Sequence, residues 1–218
     1  MYIERLTEDS AFSYTCQCCG KCCKSDLDIF LNPLDVWNIR NILNVPTWEL
    51  HGKYIRIETR FEYGSFPFCF IAMNQGHCPF LEGNLCSIHY ARPAACRFFP
   101  VVHFFDQEGR SAFALSSDLP DCPGFLQEKQ YLLAGWLAMN KYHDYEPYIE
   151  FMPELDRLLR DKFAGNPDEK LQNEIFETLY NFDNVLDFPY KEKFPESEKT
   201  GRKALKWIIG RVRKLLGE

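Results

Sequence analysis

The sequence predicts an α+β fold: a small cysteine-rich antiparallel-sheet domain over residues 1–124, followed by a mainly helical extension over residues 125–218. Three observations carry this reading. All ten cysteines fall between positions 16 and 122. Between Leu27 and Leu115, Leu27–Leu31 and Tyr54–Tyr63 alternate as strands do, and further hairpin candidates follow between turn signals. From Phe125 onward the apolar residues recur at helical spacing instead.

Leu27 to Leu31 alternates and reads as a short strand. Asn32 and Pro33 then open a helix, with Asn as N-cap, Pro at the first helical position and Asp35 adding charge to the first turn. Its buried face is expected to hold Leu34, Trp37, Ile42 and Leu43, and Pro46 and Thr47 end it before a brief second turn at Trp48. Tyr54 to Tyr63 reads as a strand with Ile55, Ile57, Thr59, Phe61 and Tyr63 on one side. Gly64 and Ser65 turn into its partner, Phe66 to Met73, and Asn74 to Gly76 turn again. Val101 to Phe105 and Ser111 to Leu115 form a third hairpin around Asp106 to Gly109.

In the second segment, helices are expected over Phe125–Lys141, Phe151–Phe163, a stretch from the Asn166, Pro167, Asp168 cap to about Leu186, and Lys199–Leu216. Leu171, Ile175, Phe176 and Leu179 should point inward in the third, and Leu205, Ile208, Ile209, Val212, Leu215 and Leu216 in the last. Pro189 and Pro195 mark a polar linker.

The composition excludes several classes. Of 218 residues, 46% are hydrophobic and 26% charged, which is ordinary for a folded chain and rules out disorder or a coiled-coil rod. The net charge of −6 argues against nucleic acid as a partner. No apolar run approaches the roughly 20 residues of a membrane span. The first nine residues lack a basic and apolar leader, so a reducing, cytoplasmic location is expected, where thiols persist and disulfides are rare. Clustered cysteines in such a setting bind metal or do redox chemistry more often than they form a disulfide scaffold.

The strongest signal is the run from Cys16 to Cys23. Cys16, Cys19, Cys22 and Cys23 step through a tight loop, and Gly20 supplies the backbone freedom that such a wrap needs. Bacterial-type ferredoxins use the same stepping of three. The adjacent side chains of Cys22 and Cys23 are expected to diverge, so that one serves a second centre or caps the sheet. Cys78, Cys86, Cys96 and Cys122 lie further along, with Cys-Pro steps at Cys78 and Cys122. The first domain is therefore expected to be built around a metal centre.

These residues resemble the cysteine-cluster family named for a CxxCxxCC motif and described as zinc- or iron-chelating. The resemblance rests on Cys16, Cys19, Gly20, Cys22 and Cys23, then on Cys78 to Leu81, Cys86, His89, Arg92, Pro93 and Cys96 to Pro100, and finally on Cys122 with Gly124. It implies metal ligation by Cys16, Cys19, Cys22, Cys23, Cys78, Cys86, Cys96 and Cys122. Cys18 and Cys69 lie outside the pattern and are read as ordinary buried thiols. The family includes flagellin lysine N-methylases, so a protein substrate and S-adenosylmethionine form one alternative, although no G-x-G-x-x-G, P-loop or radical C-x3-C-x2-C motif is present.

A zinc ribbon would supply two C-x2-C knuckles. Cys78, Cys86 and Cys96 are spaced too widely for the second, which favours a [4Fe–4S] cluster with a redox role over structural zinc in an interaction module. Four thiolates leave a net negative charge that Lys21, Lys24, Arg92 and Arg97 could offset, Arg92 and Arg97 being the cofactor-facing candidates. The alternative for both arginines is a structural salt bridge. His77 and His89 are weaker candidates as ligands. The basic residues of the last helix lie opposite its apolar stripe; docking on the protein's own core is favoured over membrane contact.

Overall fold

The computed structural model describes residues 5–25, 27–60, 65–106, 108–116, 118–119, 121–163, 165, 167–183 and 201–218. In chain order these form β1 (Arg5–Leu6), β2 (Ala11–Ser13), β3 (Phe30–Leu31), α1 (Pro33–Leu43), β4 (Ile55–Arg60), β5 (Phe66–Ile71), β6 (Leu81–Glu82), β7 (Leu85–Cys86) and α2 (Ala94–Phe98). There follow β8 (Val101–Phe105), β9 (Ser111–Leu115), β10 (Gln130–Leu132), α3 (Leu133–Met139), α4 (Tyr142–Phe163), α5 (Glu169–Tyr180) and α6 (Gly201–Leu216). The fold is α+β, with small antiparallel sheets in the cysteine-rich part and a mainly helical C-terminal part.

The strands pair in the orders β1-β9-β8, β2-β10, β3-β5-β4 and β6-β7. The central strand β5 is apolar on both faces, as expected where helices and loops cover it. The expected hairpins β4–β5 and β8–β9 are present. Asp106 closes the second one by accepting from the backbone N–H groups of Glu108 and Arg110.

Helix α1 begins where the Asn-Pro signal puts it, and its start is a reciprocal capping box. Asn32 Oδ1 accepts from Asp35 N–H at 3.0 Å while Asp35 Oδ2 accepts from Asn32 N–H at 3.1 Å. Its buried face differs from expectation. Leu34 is buried, but Val36 and Ile39 fill the core, and Ile42 is 44% exposed. The helix packs on strands and on α5 and α6 together, so its covered stripe is rotated toward them.

Other boundaries also move. The strand expected at Leu27 begins only at Phe30. In β4, Ile55 is buried but Ile57 is 45% exposed, β4 being an edge strand of its sheet. Arg56 and Arg60 stack instead over Phe70 on the other face. The expected positions Phe61, Tyr63 and Gly64 lie outside the described residues, as do Leu186, Pro189, Pro195 and Lys199. The segment after Phe125 is not one helix: Tyr131 and Leu132 pair with β2 before α3 starts. Helix α4 starts at Tyr142, nine residues before Phe151, and carries Pro147 and Pro153 inside it.

Two buried clusters hold the chain together. The larger joins α1, β3, β5, α4, α5 and α6, from Leu31 to Leu216, and so runs through both sequence segments. In α6, Leu205, Ile208, Ile209, Val212 and Leu216 are all buried against it, each contributing roughly 1.5–3 kcal/mol. Arg40 of α1 and Asp183 beyond α5 add an ion pair at 2.7 Å. The apolar stripe of α6 thus faces protein, as expected for a docked helix. Among the described residues no helix is long and apolar enough to cross a membrane. The smaller cluster gathers Leu6, Phe12, Tyr14, Val101, Cys122, Leu133 and Trp136.

Candidate metal centre

The loop from Tyr14 to Lys24 runs from the smaller cluster to the edge of the larger one. Short bonds fix it to the later stretches that carry Cys78, Cys86 and Cys122. Thr15 N–H donates to Gly124 O at 3.0 Å, and Cys78 N–H donates to Cys23 O at 2.8 Å. Lys21 Nζ donates to Asp121 O at 2.9 Å, and Lys24 Nζ to Asn84 Oδ1 at 2.8 Å. The two lysines therefore act as ties between backbone segments. Gly20 holds φ +72°, and an added Cβ there would meet the Lys24 side chain at 3.4 Å. Gly124 is closer packed: a Cβ would lie 2.5 Å from the Tyr14 ring.

All ten cysteines are free thiols, which removes the disulfide-scaffold alternative. Cys22 and Cys23 lie in a 3-10 turn, Lys21–Cys23, which rolls their side chains onto the same side. Their sulfurs are 3.8 Å apart, a correction to the expected divergence. Cys18 is a second correction: it is exposed, holds φ +50°, and hydrogen-bonds Cys16, so it belongs with the cluster rather than with the core. Cys69 is fully buried on β5, as expected of a structural thiol.

The electrostatics map which thiols face one another. Hydrogen bonding to Cys23, followed by burial, holds the Cys22 thiol far above its ordinary value. The hydrogen bond from Cys22 favours the Cys23 thiolate. Bonding to Cys78, burial and the fields of Cys78 and Cys86 outweigh it and push Cys23 up to about 11. Bonding to Cys23 lowers Cys78. Burial raises Cys86, with the field of Cys22 adding to it, and raises Cys96, with Cys22, Cys23 and Cys86 adding to it. Cys96 exposes surface to water and is still hemmed in by protein, as a group lining a recess would be. Cys22, Cys23, Cys78, Cys86 and Cys96 thus form one electrostatic neighbourhood.

A second neighbourhood surrounds Tyr14. Burial first, then the charges of Cys16, Cys122 and Cys22 and a hydrogen bond to Cys122, raise the Tyr14 hydroxyl well above its ordinary value. Cys18 feels Cys16 first, then Cys19 and Cys22. Cys22 therefore adjoins both neighbourhoods, and all eight cysteines named from the sequence fall in one or the other. Among the described residues, no three His, Cys, Asp or Glu side chains stand in a closed metal-coordinating arrangement. The donor set is nonetheless all thiol, the ligand type that suits zinc and iron–sulfur clusters.

Arg92 and Arg97 make no ion pair with a carboxylate within 4 Å among the described residues, although the charge of Arg97 acts on the buried Asp35. Arg92 donates to the His89 ring and, at 3.3 Å, to Asn140 Oδ1. Burial and Arg97 work against its charge, and the fields of Cys16, Cys96 and Cys86 work for it. Arg97 donates to Tyr90 O at 2.7 Å. Burial, then Arg92 and Arg97, lower the pKa of His89, which is turned to Arg92, and His77 Nδ1 contacts Gln75 O. Tyr14 was not foreseen from the sequence; its only signal there is an aromatic residue two places before Cys16.

The family model described as "CxxCxxCC: Putative zinc- or iron-chelating domain" matches residues 15–122. No curated protein and no solved structure matches the chain. The match begins at Thr15, whose N–H donates to Gly124 O, and ends at Cys122, two residues before that glycine, and over these residues the chain belongs to the CxxCxxCC family of zinc- or iron-chelating domains.

Proposed function

We propose that the thiols of Cys16, Cys19, Cys22, Cys23, Cys78, Cys86, Cys96 and Cys122 supply the metal ligands between the two hydrophobic clusters, and that four of them hold a [4Fe–4S] cluster, leaving the other four free for a second centre. The observation that carries the reading is the docking of Cys23 against Cys78, which brings the first cysteine motif onto the second. The lack of a second C-x2-C knuckle favours the cluster, since each of its thiolates caps a different iron and they come from well-separated positions. Bound there, such a cluster supplies one-electron transfer. The chain's own residues bring the thiols together through Lys21 and Lys24, and place Arg92 in the field of three of the sulfurs.

One observation favours zinc as a second reading. Sulfurs bound to one tetrahedral zinc at about 2.3 Å stand about 3.8 Å apart. Cys22 and Cys23 have that separation. Anaerobic purification followed by iron, sulfide and zinc analysis separates the two. Four irons and four sulfides per chain, with broad visible absorption, are expected. Zinc without sulfide overturns the cluster and leaves the structural module. Neither metal in protein expressed with both supplied overturns the centre itself.

A further inference from the structure

A recess of about 520 Å³ is walled by α1, the turn at Tyr90 and Ala91, Arg97 of α2, the α3–α4 junction and the start of α6. Its size falls in the range of small-molecule sites, roughly 300–1,000 Å³. We propose that it binds the oxyanion group, phosphate or carboxylate, of a small organic molecule with an apolar body.

Charge is the first argument. Arg97, Lys141 and Arg202 line the recess against a single carboxylate, Asp144. Asp144 itself lies 3.1 Å from His143 Nε2. Lys141, exposed at φ +59° between α3 and α4, has no ion pair within 4 Å among the described residues. The chain as a whole is acidic, so three cations on one concave wall run against its average.

Incomplete satisfaction is the second argument. Arg97 uses one Nη on Tyr90 O, and Arg202 uses one on Glu146 at 3.4 Å. In each, the buried Nε–H has no acceptor among the described residues. A guanidinium offers five donors in a plane suited to a carboxylate or phosphate. The apolar side of the recess holds Tyr90, 89% exposed, and Ile42, which are surfaces for the body of the ligand. Arg97 follows Cys96 directly in α2, so the helix that carries this wall of the recess also carries one of the candidate metal ligands.

The test is calorimetric titration of the full-length, metal-loaded protein with phenyl phosphate, benzoate, inorganic phosphate and phenol, with metal content measured before and after. Saturable binding of phenyl phosphate or benzoate, absent with phenol, is expected, and the stronger of the two identifies the anion. Inorganic phosphate binding more weakly than phenyl phosphate supports the apolar wall. Lys141→Gln should weaken binding about tenfold, the loss of one charge-assisted hydrogen bond, with metal content and circular dichroism unchanged. Arg202→Gln should act in the same direction; should it unfold the chain, the exposed Lys141 decides alone. No saturation up to about 10 mM, or affinity unmoved by Lys141→Gln, overturns the proposal. Metal analysis reports on the centre separately, so loss of one reading leaves the other standing.

Discussion

The backbone N–H of Cys78 donates to the carbonyl oxygen of Cys23 across 2.8 Å, joining two motifs separated by more than fifty residues. This bond places one thiol of each motif against the other, whereas Cys69 stands alone inside β5. The two cysteines should therefore respond differently to substitution. Cys78→Ser is expected to lower metal per chain and the melting temperature together. Cys69→Ala should leave metal content unchanged and cost about 1 kcal/mol, as a small cavity in a packed core does. Metal analysis with thermal melts checks both; loss of metal in Cys69→Ala would contradict the assignment.

Gly124 and Gly135 make a second contrast. A Cβ on Gly124 meets Tyr14 Cε2 at 2.5 Å and Thr15 O at 3.0 Å, in the contact that seats the cysteine loop. A Cβ on Gly135, in α3, meets nothing within 4 Å. Gly124→Ala should destabilise by about 1–3 kcal/mol and speed metal loss to a chelator. Gly135→Ala should stabilise by about 0.5–1 kcal/mol, since only helix propensity changes. Denaturant melts of both variants are the measurement.

These contacts mark the limit of what the sequence could say. Local signals were legible: Asn32 and Pro33 opened α1, Asp106 to Gly109 closed β8–β9, and the stripe of α6 named its own buried residues. Each depends on neighbours in sequence. The rotation of α1 toward Val36 and Ile39, the exposure of Ile57 and the early start of α4 depend on which elements pack together, and periodicity is silent on that. At the site, residue types and spacing pointed to the thiols. The approach of Cys22 to Cys23 arises from a 3-10 turn after an αL glycine, a backbone path that side-chain spacing does not encode. The roles of Tyr14 and Asp35 required the fold.

His103 gives a pH prediction away from the cysteines. It packs among Phe105, Phe113 and Tyr142, with Nε2 2.8 Å from Ser111 Oγ. Burial lowers its pKa from 6.5 to about 4. Between those values the unfolded chain binds more protons, so the stability given by the neutral ring is complete above 6.5 and is lost as pH falls toward 4. The loss is at most about 2–3 kcal/mol. His103→Phe should flatten that part of the stability profile relative to the native chain. Identical profiles in urea melts at each pH would show that the ring is not the titrating group.

Asp35 should act with the opposite sign. Its carboxyl is fully buried and accepts from Asn32 N–H and, at 2.8 Å, from Ala94 N–H, so it links the start of α1 to the start of α2, which carries Cys96. Burial raises its pKa from 3.8 to about 7, against the pull of those donors. The folded state therefore holds a proton that the unfolded state releases. Asp35 contributes most below about pH 4, and that contribution is lost as pH rises through 7. Asp35→Asn keeps one acceptor and should remove this slope. Asp35→Ala leaves two buried N–H groups without partners and should cost about 2–4 kcal/mol. Because α2 is then unpinned, Asp35→Ala should also release metal to a chelator faster than Asp35→Asn. Equal release rates would show that Cys96 is held by something other than this carboxyl.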